Sequence, residues 1–235
     1  MASGPDRPTP SQVVTGGAAL ALLPSAATFG YYGLPAYLRA QLLVQLTPQF
    51  LAYVGLSLWA AHTPQLSAQL GLERRKIRSG IQWGVLTGLL LGSLNTVVIL
   101  AVYPSLGFDI TFLKLTPHGR LPVLLMVPWL ICGIALFVEV NFRGFLLGRL
   151  AELESQWLGT DSRQRPALLA LAVSALTFAF DPFMVNTFQH LHWIALWDGF
   201  IWGSIWLRTC NLYITIVAHA VEVIIMYSAV RAAIG

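Results

Sequence analysis

Charge is what this sequence is short of. Only 10% of its 235 residues are Asp, Glu, Lys or Arg, against about 25% in a soluble domain whose surface must face water. A chain so poor in charge cannot cover a globule with polar surface, which excludes an ordinary soluble enzyme or binding module. Cysteine is nearly absent too. Cys132 and Cys210 are the only two, each in or beside an apolar run, and they read as small buried residues rather than a disulfide. HExxH, CxxC, GxSxG and a phosphate-binding glycine loop are all missing, which removes the common signatures of soluble hydrolases, thiol redox proteins and nucleotide binders. No internal repeat is seen.

Apolar residues fill the space that charge leaves. They make up 56% of the chain, and the mean hydropathy is +0.68. The apolar runs are about 20 residues long and do not alternate, so they predict membrane helices rather than barrel strands. The expected fold is an all-α polytopic integral membrane protein of about seven transmembrane helices. They fall near residues 13–34, 41–61, 81–103, 121–147, from 167 to at least 180, 193–207 and 212–230. Pro24 is expected to kink the first, and Asp181-Pro182 interrupts the chain between the fifth and sixth. Residues 1–12, rich in Pro, Ser and Gly, read as a disordered tail without the basic start of a signal peptide. Residues 13–235 then form one membrane domain.

The net charge of +4 does not point to nucleic acid, because the basic residues flank apolar runs. Arg74, Arg75, Lys76 and Arg78 share one short loop, which predicts the cytoplasmic side. Alternation then places the N-terminus and the loop at 149–165 inside, and the loop at 104–120 outside. Tyr103 and Phe108 would lie at an interface. The expected setting is a bacterial-type inner or plasma membrane, with the lipid bilayer as first partner.

A charge at mid-span costs about 2.5–3.5 kcal/mol on insertion scales, so such residues are usually paired or functional. Glu139 and Arg143 are four apart on one helix and can pair on one face, as a structural ion pair or as part of a site. His219 and Glu222 are three apart and also share a face. There a carboxylate could orient a metal ligand or raise a base's pKa, or simply be satisfied in the core. His190 and His192 sit beside Trp193 and Trp197, as interfacial residues do. Asp198 has no partner that spacing identifies.

The run Glu139-Val140-Asn141-Phe142-Arg143-Gly144-Phe145-Leu146 resembles the EExxxR motif of the CAAX protease and bacteriocin-processing (CPBP, or ABI) family. Ser174 to Phe178 resembles the start of that family's FxxxH motif. Gly199, Gly203, Trp206-Leu207-Arg208-Thr209, and Leu212 leading to His219-Ala220 resemble its third region. Leu70-Gly71-Leu72 before a basic loop is also typical, and the resemblance spans roughly residues 65–230. It implies intramembrane endopeptidase chemistry, with a Glu and a His activating water, zinc as the cofactor if the chain is active, and a second His with an Asn holding the oxyanion. The sequence departs from that pattern where the chemistry sits. The first Glu falls on Val138, the second-motif His on Pro182, and the final Asn on Val223, while Glu139, Arg143 and His219 match. Phe188 and His192 offer an alternative FxxxH register, leaving a shorter stretch to His219.

The reading these residues favour is a catalytically degenerate member, without a cofactor. It would serve as scaffold, regulator or accessory subunit, holding a transmembrane segment or lipid tail of another membrane component. The alternative is an active metalloendopeptidase using Glu139 and His219, with Arg143, His192 and Glu222 in support. A small transporter is disfavoured, because no pair of broken helices recurs in matching halves. The orientation carries its own prediction. A cysteine at Ser79 should be labelled only from the cytoplasmic side, and one in the loop at 104–120 only from the other. Labelling of both from the same side refutes this topology.

Overall fold

The computed structural model describes residues 18–158 and 167–234. The expected tail at 1–12 and the loop segment 159–166 lie outside the described residues. Among the described residues the chain is all α, and it is a polytopic membrane protein. Among the described residues eight helices carry the fold. They are α1 (Ala19–Tyr31), α2 (Leu42–Ala61), α3 (Ile77–Val97, continuing as a π-helical segment Val98–Val102), α4 (Val123–Leu158), α5 (Leu168–Ala179), α6 (Pro182–Phe188) with α7 (His192–Thr209), and α8 (Leu212–Ile234).

Within the described residues each of the seven apolar runs meets one of these helices, residues 13–17 of the first run lying outside them, but the runs do not all make crossings. Among the described residues four helices are long and apolar enough to span a membrane, or five if the α5–α6–α7 segment, bent by 51°, is counted as one. The bend has a local cause. Asp181 caps α6, its Oδ1 accepting the Phe183 and Met184 amides at 3.1 and 3.2 Å, and Pro182 takes the first helical position, where its missing N–H costs nothing. α1 is a shorter apolar helix. Pro24 sits where the 3₁₀ turn Ala19–Ala21 has just passed into α-helix.

The outward faces are apolar. Leu43, Leu90, Phe50 and Leu124 are all more than half exposed, an arrangement that water would penalise and lipid does not. Both cysteines, expected to be buried, are free and exposed instead. Cys132 lies on the outer side of α4. Cys210 takes a left-handed conformation at the end of α7 (φ 47°), and its carbonyl accepts from Lys76 Nζ at 2.8 Å. In the loop after α3, Tyr103 and Phe108 stack on His190 rather than standing free. Nearby, outside the spans, the backbone amide and then the hydroxyl of Thr111 hold the Asp109 carboxyl below its usual range.

The most extensive helix contact joins α3 to α8. Gly80, Gly84, Gly88 and Gly92 recur every fourth residue on α3 and form the contact face. A Cβ added at Gly84 would meet Val217 Cβ at 2.6 Å, and one at Gly88 would meet the Ala218 carbonyl at 2.7 Å. Small residues let membrane helices approach closely enough for dispersion to hold them. The same approach brings Gly92 against Glu222, where an added Cβ would lie 3.0 Å from the Glu222 Cα. Glycine is costly in a helix interior, so four at this spacing are explained by contact and not by helix stability. Gly88→Val should therefore lower the yield of folded protein and its thermal midpoint, at an overpacking cost of about 1–3 kcal/mol or more. Leu90→Val, on the outer face, should change neither. Equal behaviour of the two in a thermal-unfolding series on detergent-purified protein counts against the contact.

Candidate functional site

One buried carboxylate organises the interior. Glu139 ends the α-helical part of α4 at Cys132–Glu139, and a π-helical stretch, Val140–Leu147, follows. Such wide turns reset which side chains share a face and are frequent at functional sites. Arg143 Nη1 donates to Glu139 Oε1 at 3.0 Å, and both side chains are within 2% of complete burial. The expected pair is thus present. His219 Nδ1 donates to the same oxygen at 2.9 Å, so the carboxylate partner of His219 is Glu139, 80 residues away, and not its helix neighbour Glu222. The Arg143 guanidinium lies 4.7 Å from the Phe178 ring and 5.0 Å from that of Trp202. Trp202 in turn stacks on His219 at 4.7 Å. These contacts tie α4, α5, α7 and α8 together around one charge pair.

A second polar group lies beyond it. Asn95 of α3 is fully buried. Its Nδ2 donates to Glu222 Oε1 at 2.6 Å and spans both oxygens of Asp198 at 3.3 and 3.2 Å, while its Oδ1 accepts from Trp197 Nε1 at 3.0 Å. Sequence spacing had given Asp198 no partner and had not singled out Asn95. A lone Asn in a Gly- and Leu-rich run carries no periodic signal, although its rarity at membrane depth was one available hint.

His219, Asp198, Glu222, Trp202 and Asn141 line a cavity of about 420 Å³. The rest of its wall is mainly apolar, with Ile99, Phe142, Phe178 and Leu191 among the lining residues. Asn141 is almost wholly buried, and its Oδ1 has no partner; nor have Glu222 Oε2 and Trp202 Nε1. With Nδ1 of His219 committed to Glu139, the nitrogen left to face the cavity is Nε2.

Residues 120–225 match the model of a protein family described as type II CAAX prenyl endopeptidase Rce1-like. Over that region, a little under half of its length, the chain is similar to the CAAX protease family. No curated protein and no solved structure matches it. Two of the three departures from the family's pattern stand on the cavity wall, Val138 and Val223. Pro182 does not line it; the neighbouring Asp181 and Phe183 do. Asp181 is occupied as a helix cap and accepts from Gln49 Nε2 at 2.8 Å. His192 also lines the cavity, but its Nδ1 is bonded to the Gln189 carbonyl at 2.5 Å.

The residues present do not fit zinc. A catalytic zinc takes three protein ligands and an open position. Among the described residues no three His, Cys, Asp or Glu side chains are grouped to hold a metal ion. Glu139 Oε1 is already shared by Arg143 and His219, and Asp198 and Glu222 are held by Asn95. What the arrangement offers instead is a fixed imidazole and a pair of carboxyl groups at one end of an apolar chamber.

Removing one partner of a buried ion pair leaves an uncompensated charge and typically costs about 3–5 kcal/mol. Glu139→Gln should lose stability on that scale. The Glu139→Gln/Arg143→Met double change should recover part of the loss in denaturant titrations. Simple additivity of the two single changes means that the pair does not hold the helix.

Proposed function

We propose that this CAAX-protease-like membrane protein is a non-proteolytic binding protein, and that its cavity holds a lipid-like amphiphile. The observation that carries the reading is the cavity wall itself. Val138 and Val223 stand where the family's pattern places a base and an oxyanion donor, and neither can take a proton or donate a hydrogen bond. Loss of one oxyanion donor alone costs about 10²–10³ in rate. Glu139 is turned into a buried pair with Arg143 and is not free to act as a base.

Size selects the occupant. A volume of about 420 Å³ is that of a small-molecule pocket, which typically runs about 300–1,000 Å³. An α-helix with side chains is about 10–12 Å across, much bulkier than a single apolar chain. A single apolar chain with a polar end fits better than a transmembrane segment. The protein would work as an accessory or regulatory component of its membrane, with the basic segment 74–78 facing the cytoplasm.

A second reading rests on one specific contact. Glu139 holds His219 by Nδ1 and leaves Nε2 toward the cavity, the posture of a general base. On that reading the protein hydrolyses a membrane-borne peptide without a metal. A cleavage assay on prenylated CAAX peptides and on membrane-embedded peptides separates the two. The binding reading expects turnover at background for both wild type and His219→Ala. Cleavage by wild type that His219→Ala abolishes would overturn it.

A further inference from the structure

The carboxyl and amide oxygens of Asp198, Glu222 and Asn141 at the cavity's polar end outnumber the donors beside them, Asn95 Nδ2 and the unpartnered Trp202 Nε1. Asp198 and Glu222 bring two carboxyl groups to one Asn95 amide, which supplies both with hydrogen bonds from a single Nδ2. Glu222 Oε2 is left without a donor although the residue is 1% exposed. Arg143 is paired with Glu139; it and His219 act on the Asp198–Glu222 pair electrostatically, but among the described residues no cation forms a salt bridge with either acid. Buried carboxylates that lack a counter-charge are expensive. An independent residue points the same way. Asn141, on another helix and 1% exposed, lines the same cavity with its Oδ1 unpartnered.

We propose that Asp198, Glu222 and Asn141 form the binding site for a primary ammonium group carried on an apolar chain. An ammonium has three N–H donors and one positive charge, which answers both the missing donors and the missing counter-charge. Its chain runs along the apolar wall. The proposal deepens the amphiphile-binding reading and rests on it: that reading says a chain occupies the cavity, and this one names its head group. A carboxylate or phosphate head is disfavoured by the two carboxyl groups, and a neutral alcohol brings a single donor and no charge.

The test titrates the detergent-purified full chain with dodecylamine, dodecanol, dodecyltrimethylammonium and dodecanoic acid, with bound amphiphile measured by native mass spectrometry. A hydrogen bond to a charged group is worth about 1.5–3 kcal/mol, or roughly tenfold or more in affinity. Dodecylamine should therefore bind at least about tenfold tighter than dodecanol. It should also bind tighter than dodecyltrimethylammonium, which has the charge but no N–H donors, and dodecanoic acid should bind weakest. Glu222→Gln and Asp198→Asn should each remove most of the preference for the amine, read as the ratio of amine to alcohol affinity in the same variant. Equal affinity for amine and alcohol in wild type overturns the ammonium site and leaves the chain-holding reading intact. So does a preference that survives both variants. Failure to bind any of the four overturns the chain-holding reading and the ammonium site with it. Should neither variant fold, the wild-type series alone decides.

Discussion

Glu139 Oε1 is the atom on which the interior depends. Two donors from two helices, Arg143 Nη1 and His219 Nδ1, meet on it at 3.0 and 2.9 Å. The Arg143 guanidinium then carries the connection outward, lying against Phe178 and Trp202. Four helices are fixed relative to one another by a single charge-assisted node. In a medium without water that node can neither be left half made nor exchanged for solvent. Packing between apolar helices in lipid gains nothing from the hydrophobic effect, so a polar node of this kind has a larger share in specifying the arrangement than it would in a soluble core.

The glycine face of α3 performs the complementary task. Dispersion between closely approaching backbones holds α3 on α8, and the same contact brings Gly92 against the Glu222 backbone. One turn further along α3, Asn95 reaches Glu222 and Asp198. Packing and polarity are therefore coupled. Without the small residues Asn95 could not stand between two carboxyl groups on two other helices. The outcome is a chamber with two unlike polar walls. One holds the Glu–Arg–His group, and the other a pair of acids that share the Asn95 amide.

What was legible in the sequence follows from how far each signal travels along the chain. Apolar runs and low charge are local properties, and within the described residues each of the seven runs meets a helix. The number of crossings was not legible in the same way. Whether α5 and α7 are two spans or one bent span depends on tertiary packing around Asp181 and Pro182, and hydropathy is blind to it. Glu139–Arg143 was readable because a four-residue spacing is itself geometry. The partner of His219 was not, since local spacing favoured Glu222 while a helix 80 residues away supplied Glu139. The cysteines were misplaced for a related reason. In water an apolar neighbourhood implies burial, but in lipid an exposed face is apolar too, so composition cannot tell the two faces of a membrane helix apart.

The departures from the family's pattern make more sense on the cavity wall than along the sequence. Val138 is apolar, but Asn141, one turn on along the same helix, lines the same chamber. Val223 is apolar, but its neighbour Glu222 lines it as well. Polar groups have not left the chamber; they stand one to three residues away from where the family's chemistry would need them. A residue's displacement on a helix is an angular one, about 100° per position, which is enough to separate a carboxylate from the reacting atoms while keeping it in the cavity. On the proposed binding reading, such a wall lacks the alignment that a hydrolytic transition state demands, where misplacement of about 1 Å can cost 10²-fold. Binding is more forgiving, because a flexible head group can find displaced acceptors. The proposed ligand reading uses Asn141, Asp198 and Glu222 where they stand, and needs no alignment with a scissile bond.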